Sequence, residues 1–166
     1  ILIIDDGSTD NTRIIGLELQ KKYQNVKVVT HTPNRGYGSA LQEGLNKAKY
    51  DLVVFTDGDG QFDFEEVIKL LGKIGNHDMV IGFREKRRDS FVRHLLMLYL
   101  KIHDFILFGF HFKDIDCGFK LFTRKALKAI LPLKSEGAMI TTEILAKAKK
   151  SKLKIKNCVY SFMYVL

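Results

Sequence analysis

Residues 1–83 alternate four short apolar runs with three amphipathic stretches of helical period, and this alternation limits the fold more than any other feature. The runs are Ile1–Ile4, Val26–Thr30, Leu52–Thr56 and Asp78–Phe83. Between them, Asp10–Tyr23, Tyr37–Ala48 and Phe64–Lys73 carry apolar residues at helical spacing. Strands that alternate with helices predict an α/β fold with a mainly parallel sheet sandwiched by helices. Such sheets bind ligands beyond the carboxyl ends of their strands. After Phe83 the pattern changes. Phe91–Phe112 is apolar on most sides, broken by Arg93, His94, Lys101, His103 and Asp104. A short strand at Phe119–Phe122, a helix at Glu136–Lys150 and a strand at Leu153–Tyr160 are expected to complete a single domain over residues 1–166. The three histidines His94, His103 and His111 read as polar-face residues rather than ligands. Ile1 already reads as the interior of a strand, which leads us to expect a further element upstream of it.

A chain of 166 residues buries roughly 70% of its unfolded surface without staples. Cys117 and Cys158 stand far apart and form no metal-binding spacing, so both are expected to be free thiols. The net charge of +8 suits phosphorylated substrates or anionic lipid. Its basic residues gather at Arg84–Arg93 and Lys147–Lys156 without the interleaved aromatics of a nucleic-acid binder, so no nucleic-acid partner is expected. No apolar run reaches the length of a membrane span, about 18 residues or more.

Three polar segments fall at the ends of predicted strands. The most ambiguous is FTDGDGQFDFEE at residues 55–66. With Gly60 as a turn glycine, Asp57, Asp59 and Glu66 match ligands of a calcium loop, but Phe55 occupies the first ligand position. A calcium loop also joins two helices, whereas Leu52–Thr56 favours a strand. The better reading is a carboxylate pair, Asp57 and Asp59, able to face one divalent cation, with Gln61 as a neutral oxygen donor. Mg²⁺ usually takes one or two carboxylates plus substrate phosphates, which fits so sparse a set. The first strand ends in DDGSTDNT, where Ser8, Thr9 or Asp10 can cap a helix. Capping leaves Asp5 and Asp6 unexplained, and a carboxylate there can accept hydrogen bonds from a base or ribose. Asn34-Arg35-Gly36-Tyr37-Gly38 opens the next helix, and glycines at a helix N-terminus suit anionic groups.

Together, DDGSTDNT, NRGYGSAL and FTDGDGQFD resemble the blocks of the family 2 glycosyltransferases of the GT-A, Rossmann-like fold, in order and at the usual spacing. The likeness is closest to polyprenyl-phosphate glycosyltransferases such as dolichol-phosphate mannose synthases. Asp57, Asp59 and Gln61 match the D-x-D-x-Q block of that group. Asp116-Cys117-Gly118-Phe119-Lys120-Leu121-Phe122 looks like its S-G-F block, with Cys117 in place of Ser. The family's opening strand, with its P-x-Y-N-E type motif, is expected before Ile1, so part of the nucleotide pocket lies outside this sequence.

The resemblance implies inverting transfer of a sugar from a nucleoside diphosphate donor, with Mg²⁺ or Mn²⁺ held by Asp57, Asp59 and Gln61. Residues 1–83 would form the donor half and residues 84–166 the acceptor half. Asp5, Asp6, Gly7, Ser8, Asn34, Arg35, Gly36, Gly38 and Asp57 are the expected nucleotide-binding residues. A lipid phosphate acceptor is already anionic and needs positioning more than a base. Arg84, with Arg87 and Arg88, is the expected grip on that phosphate. Gly118, Phe119 and Glu143 are further candidates on the acceptor side. A hydroxyl acceptor would instead need a carboxylate base, for which Asp114 aligns better than Asp116. Phe91–Phe112 suits an interfacial position beside a lipid tail, with core packing or a dimer contact as the alternatives. These features imply a membrane surface as partner. The expected location is the cytoplasmic side of a membrane, either peripheral or anchored by segments outside this chain. Two alternatives are transfer to a glycan hydroxyl and a non-catalytic module that binds nucleotide sugar or membrane.

Overall fold

The structure is a computed structural model that describes residues 1–84 and 114–160. The Phe91–Phe112 segment, its three histidines, Arg87, Arg88 and the side chain of Arg84 lie outside the described residues. Strands β1 (Leu2–Asp5), β2 (Lys27–Thr30), β3 (Leu52–Thr56) and β4 (Met79–Arg84) follow the four apolar runs. They alternate with helices α1 (Thr12–Lys22), α2 (Tyr37–Lys47) and α3 (Val67–Ile74). Then come β5 (Phe119–Thr123), α4 (Arg124–Ile130), α5 (Ile140–Lys150) and β6 (Ile155–Tyr160).

Among the described residues the strands form two hydrogen-bonded groups. β1 pairs in parallel with β2, Asp5 opposite Thr30. The second group runs β3-β5-β4-β6. β5 is antiparallel to both neighbours, β3 and β4, whereas β4 and β6 are parallel. Thus β3, β4 and β6 share one direction and β5 alone is reversed, a mixed α/β sheet of mainly parallel sense. The reversal brings the Asp114–Gly118 segment, just before β5, to the carboxyl ends of β3 and β4.

The core lies on the larger sheet. Leu70, Met79, Val80, Ile81, Phe119, Leu121, Phe122, Leu127, Ile130, Ile140, Ile144 and Leu145 are buried there. Each such side chain contributes about 1.5–3 kcal/mol by leaving water. α3 turns Val67, Leu70 and Ile74 inward at helical spacing. It is preceded by a 3-10 turn at Phe64–Glu66, whose cap is Asp63, accepting from the Glu65 N–H at 2.9 Å. α1 differs from the sequence expectation. Its buried residue is Gly16, which packs on Val28, while Ile14, Ile15, Leu17 and Leu19 remain exposed. α4 is absent from the sequence reading. Its signal was present: Thr123 caps it by accepting from the Ala126 N–H at 3.1 Å, and Pro132 follows its end. The helix expected from Glu136 begins only at Ile140, because residues 135–136 pack against the start of α2 instead.

Candidate functional site

The first polar segment divides its two carboxylates. Consecutive strand-end residues point to opposite sides, and the two aspartates have different surroundings. Asp5 is buried, and its Oδ1 accepts from the Ser8 N–H at 3.1 Å. Its Oδ2 is buried with no hydrogen-bond partner among the described residues. Asp6 is instead committed to protein. Its Oδ1 lies 2.7 Å from His31 Nδ1 and accepts from the Arg35 N–H at 3.0 Å; its Oδ2 accepts from the Gly36 N–H at 2.8 Å. Burial opposes its ionisation, but the Arg35 and Gly36 N–H groups and His31 hold its carboxyl below the usual range. Asp6 therefore ties the second segment to the first. Asn34 completes the tie, donating from Nδ2 to the Asp6 carbonyl at 2.6 Å. Gly7, at φ 77°, lets the chain pass Asn34, whose N atom would lie 2.9 Å from a Cβ there.

The glycines of the second segment serve close packing. A Cβ on Gly38 would lie 2.4 Å from the Ser135 carbonyl oxygen, and one on Gly36 would lie 2.9 Å from that of Glu136. The Gly38 N–H is occupied, donating to the Glu136 carbonyl at 2.7 Å. These two glycines, expected to border an anion, fix the start of α2 on residues 135–136. The Arg35 side chain is left exposed.

The third segment follows strand β3, which excludes the helix-flanked calcium loop. Tyr37, the first residue of α2, donates its hydroxyl to Asp57 Oδ1 at 3.0 Å. Gly118 presses on the same carboxylate: a Cβ there would lie 1.9 Å from Asp57 Oδ2. Burial pushes the Asp57 carboxyl up, the Tyr37 hydroxyl works against this, and the Asp59 charge adds to it. Burial and the Asp57 charge also raise Tyr37, which keeps its hydroxyl a donor. Asp59 is exposed, and its Oδ1 accepts from the Gln61 N–H at 3.0 Å. Among the described residues no group of three or more His, Cys, Asp or Glu side chains gathers to hold a metal ion. The donor set nevertheless suits a hard cation shared with a substrate phosphate. It consists of carboxylate oxygens, and one carboxylate is destabilised by burial and by its neighbour's charge, a cost that a divalent cation offsets.

The fourth segment closes the site from β5. Asp114 is buried, whereas Asp116 is exposed and accepts from the Thr141 hydroxyl at 3.2 Å. Lys120 is fully buried, with its Nζ on the carbonyls of Ile115 and Cys117. Cys117 and Cys158 are both free and buried. Two acceptor candidates are corrected here. Phe119 has no exposed surface and packs against Phe62 and Tyr160 in the core. The Glu143 carboxylate is turned onto the 134–135 backbone, accepting from the Lys134 and Ser135 N–H groups, and pairs with Lys147. Burial opposes its ionisation, but these partners lower its pKa to about 2. Sequence reading assigned no site role to Tyr37, His31 or Lys120. Tyr37 stood inside a recognised block, masked by the glycines around it. His31 is buried, with no partner for Nε2 among the described residues.

Residues 1–131 match the model of the glycosyl transferase family 2. A dolichyl-phosphate beta-glucosyltransferase of Trichomonas vaginalis is 34% identical over 95% of this chain and 52% of its own length. The protein of that name from Dictyostelium discoideum is 36% identical over 93% and 52%, and that from Saccharomyces cerevisiae 31% identical over 95% and 54%. The chain thus spans about half the length of these curated relatives. Among solved structures, glucosyl-3-phosphoglycerate synthase of Mycobacterium tuberculosis with phosphoglyceric acid superposes with a TM-score of 0.72. That match covers 99% of this chain and 60% of the other at 20% identity, a likeness of fold. The same enzyme has been crystallised with Mn²⁺, uridine diphosphate and glucosyl-3-phosphoglycerate. The chain belongs to the glycosyl transferase family 2 and has its GT-A fold.

Proposed function

We propose that this family 2 domain takes part in inverting, metal-dependent transfer of glucose from UDP-glucose to a polyprenyl phosphate. One observation carries the reading: the four polar segments form one linked surface. Asp6 binds the 34–36 backbone, Tyr37 binds Asp57, and Asp57 packs on Gly118. The relatives, named for β-glucosyl transfer to dolichyl phosphate, support the sugar and the acceptor class. A β product from an α-linked donor is an inversion.

In this reading the buried, unpartnered Oδ2 of Asp5 accepts the imide N–H of the uracil ring, a group that a buried carboxylate rewards strongly. Ser8 keeps the other oxygen occupied and so fixes the direction of Oδ2. Asp57 and Asp59, with Gln61, would hold Mg²⁺ or Mn²⁺ at the donor diphosphate. When bound, the ion supplies Lewis-acid stabilisation of the charge that gathers on the leaving diphosphate. Arg84 ends strand β4 on the side where β3 delivers Asp57, and with Arg87 and Arg88 it is proposed to receive the acceptor phosphate. The phosphate oxygen attacks as an anion, so Asp114 shapes the charge around Lys120 and does not serve as an obligatory base. The acceptor's lipid tail calls for a membrane surface. No helix among the described residues is long and apolar enough to cross a membrane, so the proposed contact is peripheral or made by other segments.

The full-length protein, incubated with Mn²⁺, a short polyprenyl phosphate and radiolabelled UDP-glucose or GDP-mannose, tests this. Label is expected in the organic phase from UDP-glucose, with at least about a hundredfold loss in Asp59→Ala. Label from neither donor, with UDP still bound, would rule out a lipid acceptor and direct attention to hydroxyl acceptors.

A further inference from the structure

Asp57 is held from two sides by groups that themselves have little freedom. Tyr37 Oη donates to its Oδ1 at 3.0 Å. On the other side, its Oδ2 lies where a Cβ on residue 118 would come to 1.9 Å, so only glycine leaves room for the carboxylate. The Asp57 N–H also donates to the Gly118 carbonyl at 3.3 Å. Tyr37 is fixed through its backbone. Gly36 and Gly38, on either side of it, sit against the Ser135–Glu136 backbone. Gln42, one turn further along α2, donates to the Ser135 carbonyl at 2.9 Å. The phenol cannot leave Asp57 without a change of rotamer or a shift of the whole start of α2. Tyr37 is 40% exposed and lies outside the hydrophobic core.

We propose that Tyr37 is a positioning residue that holds the Asp57 carboxylate in the orientation in which it takes up the divalent cation. The inference rests on the metal role proposed above for Asp57. A carboxylate on a glycine-flanked surface turn would otherwise sample several rotamers and lose that freedom on each binding event. Hydrogen-bonding partners of metal-binding side chains typically account for a 10–100-fold effect on affinity. The arrangement also explains two sequence features at once: a tyrosine between two packing glycines, and a glycine two residues after Asp116.

Mn²⁺ binding to the full-length protein in the presence of UDP, followed by electron paramagnetic resonance of free Mn²⁺, provides a readout that does not depend on turnover. Tyr37→Phe is expected to weaken Mn²⁺ by about tenfold. UDP binding without metal should stay within about twofold of the parent protein, and thermal stability should fall only slightly, because one partly exposed hydrogen bond is lost. Gly118→Ala, which pushes the same carboxylate from the other side, should also weaken Mn²⁺. Asp57→Asn separates the two levels of the argument. If Asp57→Asn abolishes Mn²⁺ binding and Tyr37→Phe leaves it unchanged, the role of Tyr37 is overturned and the metal site stands. If Asp57→Asn has no effect, the metal reading of Asp57 fails and the inference falls with it. An equal loss of metal-free UDP binding in Tyr37→Phe would make the hydroxyl a general support of the loop and would also overturn the proposal.

Discussion

Lys120 carries an amine into the middle of the larger sheet. It has no exposed surface, its nitrogen lies 5.4 Å from the centre of the Phe55 ring, and its donors meet the Ile115 and Cys117 carbonyls. Burial pushes its pKa down, and the charges of Cys117, Asp114, Asp116 and Asp57 pull it back only in part. The folded chain therefore releases this proton at a lower pH than the unfolded chain. Between the two pKa values the unfolded state binds more protons, so stability rises with pH there. A neutral amine still donates to both carbonyls and no longer bears the cost of a buried charge. Lys120→Met removes this dependence. In urea melts between pH 7 and 10.5, the parent protein should gain stability relative to Lys120→Met as pH rises. A constant difference would mean that the amine ionises as it does in water. Sequence alone could not place this residue. Phe-Lys-Leu-Phe reads as a strand with its lysine on a wet face, whereas β5 is a central strand buried on both faces.

Residues 134–136 act as a wedge between α2 and α5. Glu143 on α5 holds the wedge by its N–H groups, and Gly36 and Gly38 at the head of α2 rest on its carbonyls. Ordinary helix propensity makes Ala better than Gly by about 1 kcal/mol. At Gly38 packing must win, because the added Cβ would lie 2.4 Å from a backbone oxygen that no rotamer change can remove. Overpacking typically costs about 1–3 kcal/mol, which for a chain of this size lowers Tm by about 3–10 °C. At Gly72 in α3 a Cβ meets nothing within 4 Å, so Ala there should raise Tm by about 1–4 °C. Opposite signs for Gly38→Ala and Gly72→Ala in calorimetry would support this account; a gain in both would mean that the wedge yields. The wedge also explains which elements were legible. Period and apolar runs placed β1 to β4 and α1 to α3, although α1 packs through Gly16 and leaves its apolar residues exposed. Helix α5 was read four residues too early at its start, since Glu136 and its neighbours fit a helix locally but are held by a different element. α4 was missed although Thr123 marked its cap, and nothing in an apolar run records the direction in which β5 enters the sheet.

At the scale of the whole molecule, the polar blocks that meet in the candidate site were legible because they sit at strand ends in a fixed order. What sequence could not divide was Asp5 from Asp6, or a packing glycine from an anion-binding one, since those roles depend on loops distant in the chain. Among the described residues, β1 pairs only with β2, and β3 pairs only with β5, so each has one edge without a strand partner. An unpaired edge is a row of unmet backbone donors and acceptors, which proteins normally cover. α2 already bridges the two groups: Gly44 approaches Ile4 of β1, and Leu45 lies in the core of the larger sheet. A strand seated between β1 and β3 would join them into one sheet beneath that bridge and bring its own carboxyl end to Asp5 and Asp57. Hydrogen exchange on the full-length protein, compared with residues 1–166 alone, measures this. Amides of Leu2–Asp5 and Leu52–Thr56 that face the open edges should exchange at least about tenfold more slowly in the full-length protein, since each gains a ladder partner. Amides of β4 and β6, already paired with each other, should change far less. Equal exchange at β1 and β3 in the two proteins would mean that no further strand is seated between them.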